Sequence, residues 1–164
     1  MMRILMVTIL TMVASSLALA QTTGTNYPGR DNDEKAIKRV MMQLEEAWNK
    51  HDADACSSLF RPDADFTSWK GERAQGREHI RKFLAPLFKN ILKQSTLKST
   101  HNRIQFYGQD IATVDGEWEM TGLLDQNLKP IPDKKDIPLF VVRKEEGTWL
   151  IAAMHNVLLQ PLCP

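Results

Sequence analysis

The alternation of apolar and polar positions divides the chain into a helical first part and a strand-rich second part. Ile37, Val40, Met41, Leu44, Trp48 and His51 recur at steps of three and four, which puts them on one face of a helix of about four turns. Asp31, Asn32 and Asp33 stand just before it and offer N-caps and favourable negative charge, so a start near Glu34 is expected. A short second helix is predicted over 54–60, stopping before Pro62. Ala64 and Phe66 then alternate with Asp65 and Thr67, as in a half-buried strand. After a turn region marked by Gly71 and Gly76, Ile80, Phe83, Leu84, Leu87 and Phe88 define a third helix, with a kink or break expected at Pro86. From there on the pattern is strand-like: Ile104 and Phe106, then 111–120, 137–142 and 149–159 are rich in β-branched, aromatic and aliphatic residues. Turn sequences at 107–110 and 145–147 predict hairpins and antiparallel pairing, and 124–136, with Pro130 and Pro132, reads as a longer loop. Helices first and strands afterwards is the order of an α+β domain.

Length and composition narrow the picture. At 164 residues, with 43% apolar and 25% charged positions, the chain is sized for one ordinary domain with its own core. A formal charge of +1 speaks against a nucleic-acid partner, which would call for a basic excess gathered into a patch. The first twenty residues differ from the rest. Arg3, the apolar run 4–13 broken only by Thr8 and Thr11, and the small-x-small step Ala18-Leu19-Ala20 make a secretory signal peptide. That run is too short for a membrane-spanning helix, so export to the periplasm or the exterior is expected, with no membrane attachment after cleavage. Residues 21–32 read as a flexible lead-in and 33–160 as the domain. Cys56 and Cys163 remain. An oxidising compartment permits them to pair; a buried Cys56 with a loose Cys163 fits the sequence equally well.

Two stretches then stand out: Trp48-Asn49-Lys50-His51-Asp52-Ala53-Asp54, and Leu59-Phe60-Arg61-Pro62-Asp63-Ala64-Asp65-Phe66. Together they resemble the opening of SnoaL-like proteins, part of the nuclear-transport-factor-like superfamily that includes the ketosteroid isomerases. Gly76-Arg77-Glu78-His79-Ile80, Asp110-Ile111-Ala112-Thr113-Val114 and Gly147-Thr148-Trp149-Leu150-Ile151 match later parts of the family pattern, over residues 34–158 in all. The resemblance implies a cone-shaped, strongly curved antiparallel sheet wrapped around about three N-terminal helices, a pocket between them, and a homodimer. It does not imply steroid isomerisation. The position of that enzyme's proton-transferring aspartate matches Ser68, and the position of its oxyanion-binding tyrosine matches Leu44.

Strand parity nominates the groups that would line such a pocket. If Phe66 faces inward so does Ser68, and Val114, Trp118 and Met120 share a face opposite Asp115, Glu117 and Glu119. On the last strand Trp149, Ile151, Ala153, His155 and Val157 share a face, so His155 is expected inside, where an imidazole could serve as a catalytic acid or base. Trp48, Phe66, Ser68, Trp69, Trp118 and Met120 are the candidate ligand-binding residues. The histidines are scattered, without HxH, HExxH or CxxC spacing, and there is no phosphate loop or GxSxG turn, so neither a metal nor another cofactor is expected. The reading is an exported protein that binds a small apolar molecule. A cofactor-free isomerase, cyclase or dehydratase and a purely structural homodimer are the alternatives.

Overall fold

The computed structural model describes residues 27–158. The expected signal peptide, most of the lead-in and Cys163 lie outside the described residues, as does Leu159 at the end of the last predicted strand. The elements run α1 (Arg30–Asn49), α2 (Ala53–Ser58), β1 (Phe60–Thr67), β2 (Arg73–Gln75), α3 (Arg77–Lys89), β3 (Thr96–Phe106), β4 (Ile111–Thr121), β5 (Lys134–Glu145) and β6 (Thr148–Leu158). The six strands form one open, curved sheet in the order β2-β1-β6-β5-β4-β3. Three register shifts, in the β1–β6, β3–β4 and β5–β6 pairs, give the strands the local bends that such curvature needs. Every neighbouring pair is antiparallel except β1–β6, which is parallel. The expected all-antiparallel sheet is corrected at that one seam. Its strands are joined through α3 and four further strands, so no hairpin dictates their direction.

The helices bury the faces their spacing predicts. Ile37, Val40, Met41, Leu44, Ala47 and Trp48 of α1 and Ile80, Leu84 and Phe88 of α3 join Val114, Phe140, Val142, Trp149 and Ile151 of the sheet in one core. α1 begins at Arg30, earlier than expected. Gly29 takes a left-handed conformation (φ 92°), and its carbonyl accepts from the N–H groups of Asn32 and Asp33. None of the three acidic or amide side chains caps the helix. Asp33 turns inward instead, where its carboxylate accepts from Trp149 Nε1 (2.9 Å) and Tyr27 OH (2.9 Å) and pairs with Lys144 Nζ (2.8 Å). α3 continues through Pro86 to Lys89, so the break expected at the proline falls less than one turn later. Asn90 ends the helix there, and its side-chain amide donates to the Pro86 carbonyl (2.8 Å).

Side chains from the end of α1 and the turn after it cover the start of the β3 edge, where unpaired peptide groups would otherwise invite a foreign strand. Asn49 acts as a surrogate peptide: its Oδ1 accepts from Leu97 N (2.7 Å) and its Nδ2 donates to Leu97 O (2.9 Å). Glu45 accepts from Ser99 N (3.0 Å), and the His51 ring bonds the Ser95 carbonyl (3.1 Å). Because a carbonyl only accepts, His51 Nε2 carries the proton. Asn49→Ala is expected to lower stability by about 1–3 kcal/mol, the cost of orphaning both Leu97 groups. Urea unfolding measures it; an unchanged midpoint would show that water replaces the amide at no cost.

Candidate functional site

A cavity of about 70 Å³ lies between α3, the β1–β2 turn and the inner face of the sheet. Phe83, Leu84 and Leu87 of α3 form one wall, Phe66 and Met154 a second, and Trp48 and Met120 part of a third. Trp48 is held edge-on against Phe88, with centroids 5.1 Å apart. Trp118 stands behind it, packed on Trp48 at 6.1 Å and on Phe140 at 5.6 Å, and is not part of the cavity lining. Trp48 Nε1 is buried without a hydrogen-bond partner.

Ser68 shapes the mouth. Its Oγ accepts from Lys70 N (3.2 Å) and Glu72 N (3.3 Å) and donates to Glu72 Oε2 (3.2 Å), closing a tight turn in which Gly71 adopts φ 79°. That turn presents Trp69 beside the cavity. Lys134 Nζ sits 3.3 Å from the centre of the Trp69 ring and Lys70 Nζ 4.8 Å from it, so the indole is held by cations from two elements. Burial holds the Lys134 ammonium below the ordinary lysine range; Asp136 opposes that shift and Lys70 adds to it.

At the sheet side the cavity meets Asn156, which is 9% exposed. Its Nδ2 donates to Asp136 Oδ2 (2.9 Å), and neither Asn156 Oδ1 nor Asp136 Oδ1 has a partner. Asp136 is 2% exposed. Burial pushes its carboxyl above the usual range, while the Asn156 hydrogen bond and the charge of Lys134 pull part of the way back. The sequence reading missed this pair. Asn156 was hidden by the wrong parity for β6, and Asp136 lies in a stretch read as loop that instead opens β5.

The expectation for His155 is corrected here. Val142 pairs with Ile151 but Val141 pairs with Ala153, so Ala152 is an extra residue in β6. Trp149 and Ile151 face the core before this bulge, and Met154 and Asn156 do so after it. His155 therefore lies on the outer face, its side chain 53% exposed and 3.8 Å from Asp65 Oδ2. On β4 the parity holds, because the extra residue at the β3–β4 register shift, Thr100, belongs to β3: Val114, Trp118 and Met120 are buried, while Asp115 and Glu119 pair outside with Arg103 and Lys135. Thus Trp48, Phe66, Ser68, Trp69 and Met120 converge on one cavity, Trp118 backs it, and His155 is outside.

Among the described residues Cys56 has no cysteine partner; as a fully buried thiol its pKa is pushed up by burial to about 12, which leaves it without thiolate chemistry near neutral pH. Among the described residues, no group of three or more His, Cys, Asp or Glu is placed to hold a metal ion, and no helix is long and apolar enough to cross a membrane.

Several solved structures share this architecture. A protein with a cystatin-like fold from Caulobacter vibrioides superposes with a TM-score of 0.74 at 18% identity, covering 79% of this chain and 92% of its own. A domain with a cystatin-like fold from Nostoc punctiforme gives 0.70 at 24% identity, covering 80% of each chain. The hexachlorocyclohexane dehydrochlorinase LinA, type 2, gives 0.73 at 16% identity, covering 82% of this chain and 91% of its own. At these identities the likeness establishes the fold. No curated protein matches the sequence. The family model of the SnoaL-like domain matches residues 42–148, which span α1 from its middle through the β5–β6 turn. Sequence match and architecture agree, and the chain belongs to the SnoaL-like family of the nuclear-transport-factor-like superfamily.

Proposed function

We propose that the mature protein is exported and binds a small, largely apolar molecule in the cavity beneath Trp69, with no reaction required. The observation that carries this reading is the wall itself: aromatic and aliphatic side chains from α1, α3, β1, β4 and β6 meet around a space that is also bordered by the polar side chains of Ser68 and Asn156. Apolar walls with a few convergent polar atoms are the usual make-up of a small-molecule site. The enclosed space is smaller than the ~150 Å³ that houses benzene in an engineered cavity. A ligand ring therefore reaches past the mouth or displaces Trp69, whose contacts with Lys134 and Lys70 are the ones to break. The dehydrochlorinase of the same fold is named for a small apolar compound, which supports the architecture as a host for such molecules.

A cofactor-free isomerase, cyclase or dehydratase is the second reading. What favours it is the buried Asp136 carboxyl, displaced upward and one hydrogen bond behind the wall; His155 offers it nothing from the outer face. Ile137 and Leu139, 38% and 43% exposed on the outer side of β5, support pairing of two copies through the sheet. Native mass spectrometry of the protein purified from its host's exported fraction tests these points together. The expected spectrum is a dimer carrying a small-molecule mass that is lost on activation. Absence of the chain from that fraction would overturn export, a monomer would overturn the pairing, and a dimer without added mass that also fails to take up small aromatics would overturn binding.

A further inference from the structure

Two ammonium groups from different elements meet at the mouth of the cavity. Lys70 stands in the β1–β2 turn and borders the cavity itself. Lys134 opens β5 directly across from Met120, a cavity residue of β4, and opposed residues of paired strands share one face of the sheet. Its side chain therefore rises on the inner side, where Nζ lies 3.3 Å from the centre of the Trp69 ring; Lys70 Nζ lies 4.8 Å from the same point. The two nitrogens are then no farther apart than those distances added, about 8 Å, a range over which like charges still repel in physiological salt. The fold supplies them with little counter-charge. Lys135 pairs with Glu119 and Lys144 with Asp33, but among the described residues neither Lys70 nor Lys134 has a carboxylate at ion-pair distance. Glu72, the acid of the cavity lining, accepts from Ser68 Oγ. Asp136, the acid nearest Lys134 along β5, accepts from Asn156 and is buried where ionisation is disfavoured.

We propose that the ligand is an amphipathic acid, an aryl or short alkyl carboxylate, whose apolar body enters the cavity while its carboxylate sits between Lys70 and Lys134. This rests on the reading that the cavity binds small molecules, and names their class. A carboxylate accepts charge-assisted hydrogen bonds from ammonium groups, and its two oxygens let it take one from each lysine. Against the single acid Glu72, the two lysines leave the mouth with a net positive charge. The shape of the site agrees. An enclosed space of about 70 Å³ holds only part of a ring, so the rest of the molecule lies at the mouth, beside the lysines. The head group also unlatches Trp69: an ammonium that turns to a carboxylate leaves the indole face, which a neutral molecule would have to displace unaided.

Phenylacetate and phenylacetamide, close in shape and different in charge, are the probes. Affinities are measured by ligand-observed NMR on the full mature protein at neutral pH, where the acid is ionised. The wild type is expected to bind phenylacetate about tenfold more tightly at low salt, the effect of a charge-assisted hydrogen bond, and less so as salt rises. Acetate, the head group alone, is expected not to displace it at equal concentration; displacement would mean that the lysines bind anions without the cavity and would overturn the joint site. The double variant Lys70→Met, Lys134→Met keeps two unbranched side chains without charge and is expected to bind both probes alike. Equal affinities in the wild type would overturn the acid class and leave the pocket standing. Binding of neither probe would overturn the pocket as well. A preference retained by the double variant would overturn the assignment to these lysines. If that variant does not fold, the salt series on the wild type decides: a preference that salt leaves unchanged overturns the proposal.

Discussion

Replacing Asp33 by alanine is expected to destabilise the protein by about 2–4 kcal/mol, the cost of orphaning a buried donor and losing two further charge-assisted hydrogen bonds. The carboxylate lies at 6% exposure and joins four parts of the fold: its own helix α1, Tyr27 before it, Lys144 on β5 and Trp149 on β6. Without it, the buried Trp149 indole N–H loses its acceptor, and the part-exposed Lys144 ammonium loses its partner. Burial alone would raise the Asp33 carboxyl, but hydrogen bonds from Lys144, Trp149 and Tyr27 overcome it and hold the group below the usual carboxylate range. The sign of the pH effect follows. A carboxyl depressed in the folded state contributes stability that is present above its unfolded value near 4 and is lost as pH falls through the folded value. Asp33→Asn should therefore flatten the acid limb of the stability curve as well as lower the plateau, and by less than alanine because it keeps an acceptor. On the alkaline side, burial first and the Asp33 hydrogen bond second push the Tyr27 phenol up to about 12. Stability tied to Tyr27 is accordingly complete below pH 10 and fades as pH rises toward 12. Urea titrations from pH 2 to 8 measure the main effect. An Asp33→Ala midpoint close to wild type, with its acid limb intact, would show that the network contributes nothing net.

Trp118→Ala should have a similar effect, about 3–5 kcal/mol, as for other buried tryptophans cut to alanine. The indole is 4% exposed and lies between Trp48 and Phe140, so its loss removes contacts from both the helix layer and the sheet. This variant also separates core from cavity. Trp118 backs the pocket through Trp48, and the vacated volume adjoins it. Added indole is expected to refill that space and restore about 2.7 kcal/mol at a concentration of about 100 times its Kd. Thermal unfolding with and without indole, in variant and wild type, makes the comparison. A variant that loses stability but gains nothing from indole would mean that the core collapses into the gap.

Several features were legible in the chain itself because they depend on neighbours in sequence. The three- and four-residue spacing of Ile37, Val40, Met41, Leu44 and Trp48 specifies the buried face of α1, and the unbroken alternation from Val114 to Met120 assigns the sides of β4. The 145–147 turn places positive φ at Glu146 and Gly147, as a tight hairpin demands. The motifs carrying the family resemblance are local in the same sense, and the family model matches residues 42–148.

What escaped the sequence depends on pairing between distant strands. The Ala152-Ala153 step fits either face of a sheet, so nothing in it marks the bulge that carries His155 outside and Asn156 inside. The Asn156–Asp136 hydrogen bond requires the β5–β6 register, and Asp33 finds Trp149 across 116 residues of chain. Asp31, Asn32 and Asp33 look alike as potential caps, and only packing selects the last for the interior. Sequence by itself determined the α+β class, the helix faces, the side assignment of β4 and, among the residues that meet at the cavity, Trp48, Phe66, Ser68, Trp69 and Met120. The tertiary structure alone decided which polar groups enter that cavity, because a single inserted residue inverts strand parity and a buried polar atom finds its partner in space rather than in sequence.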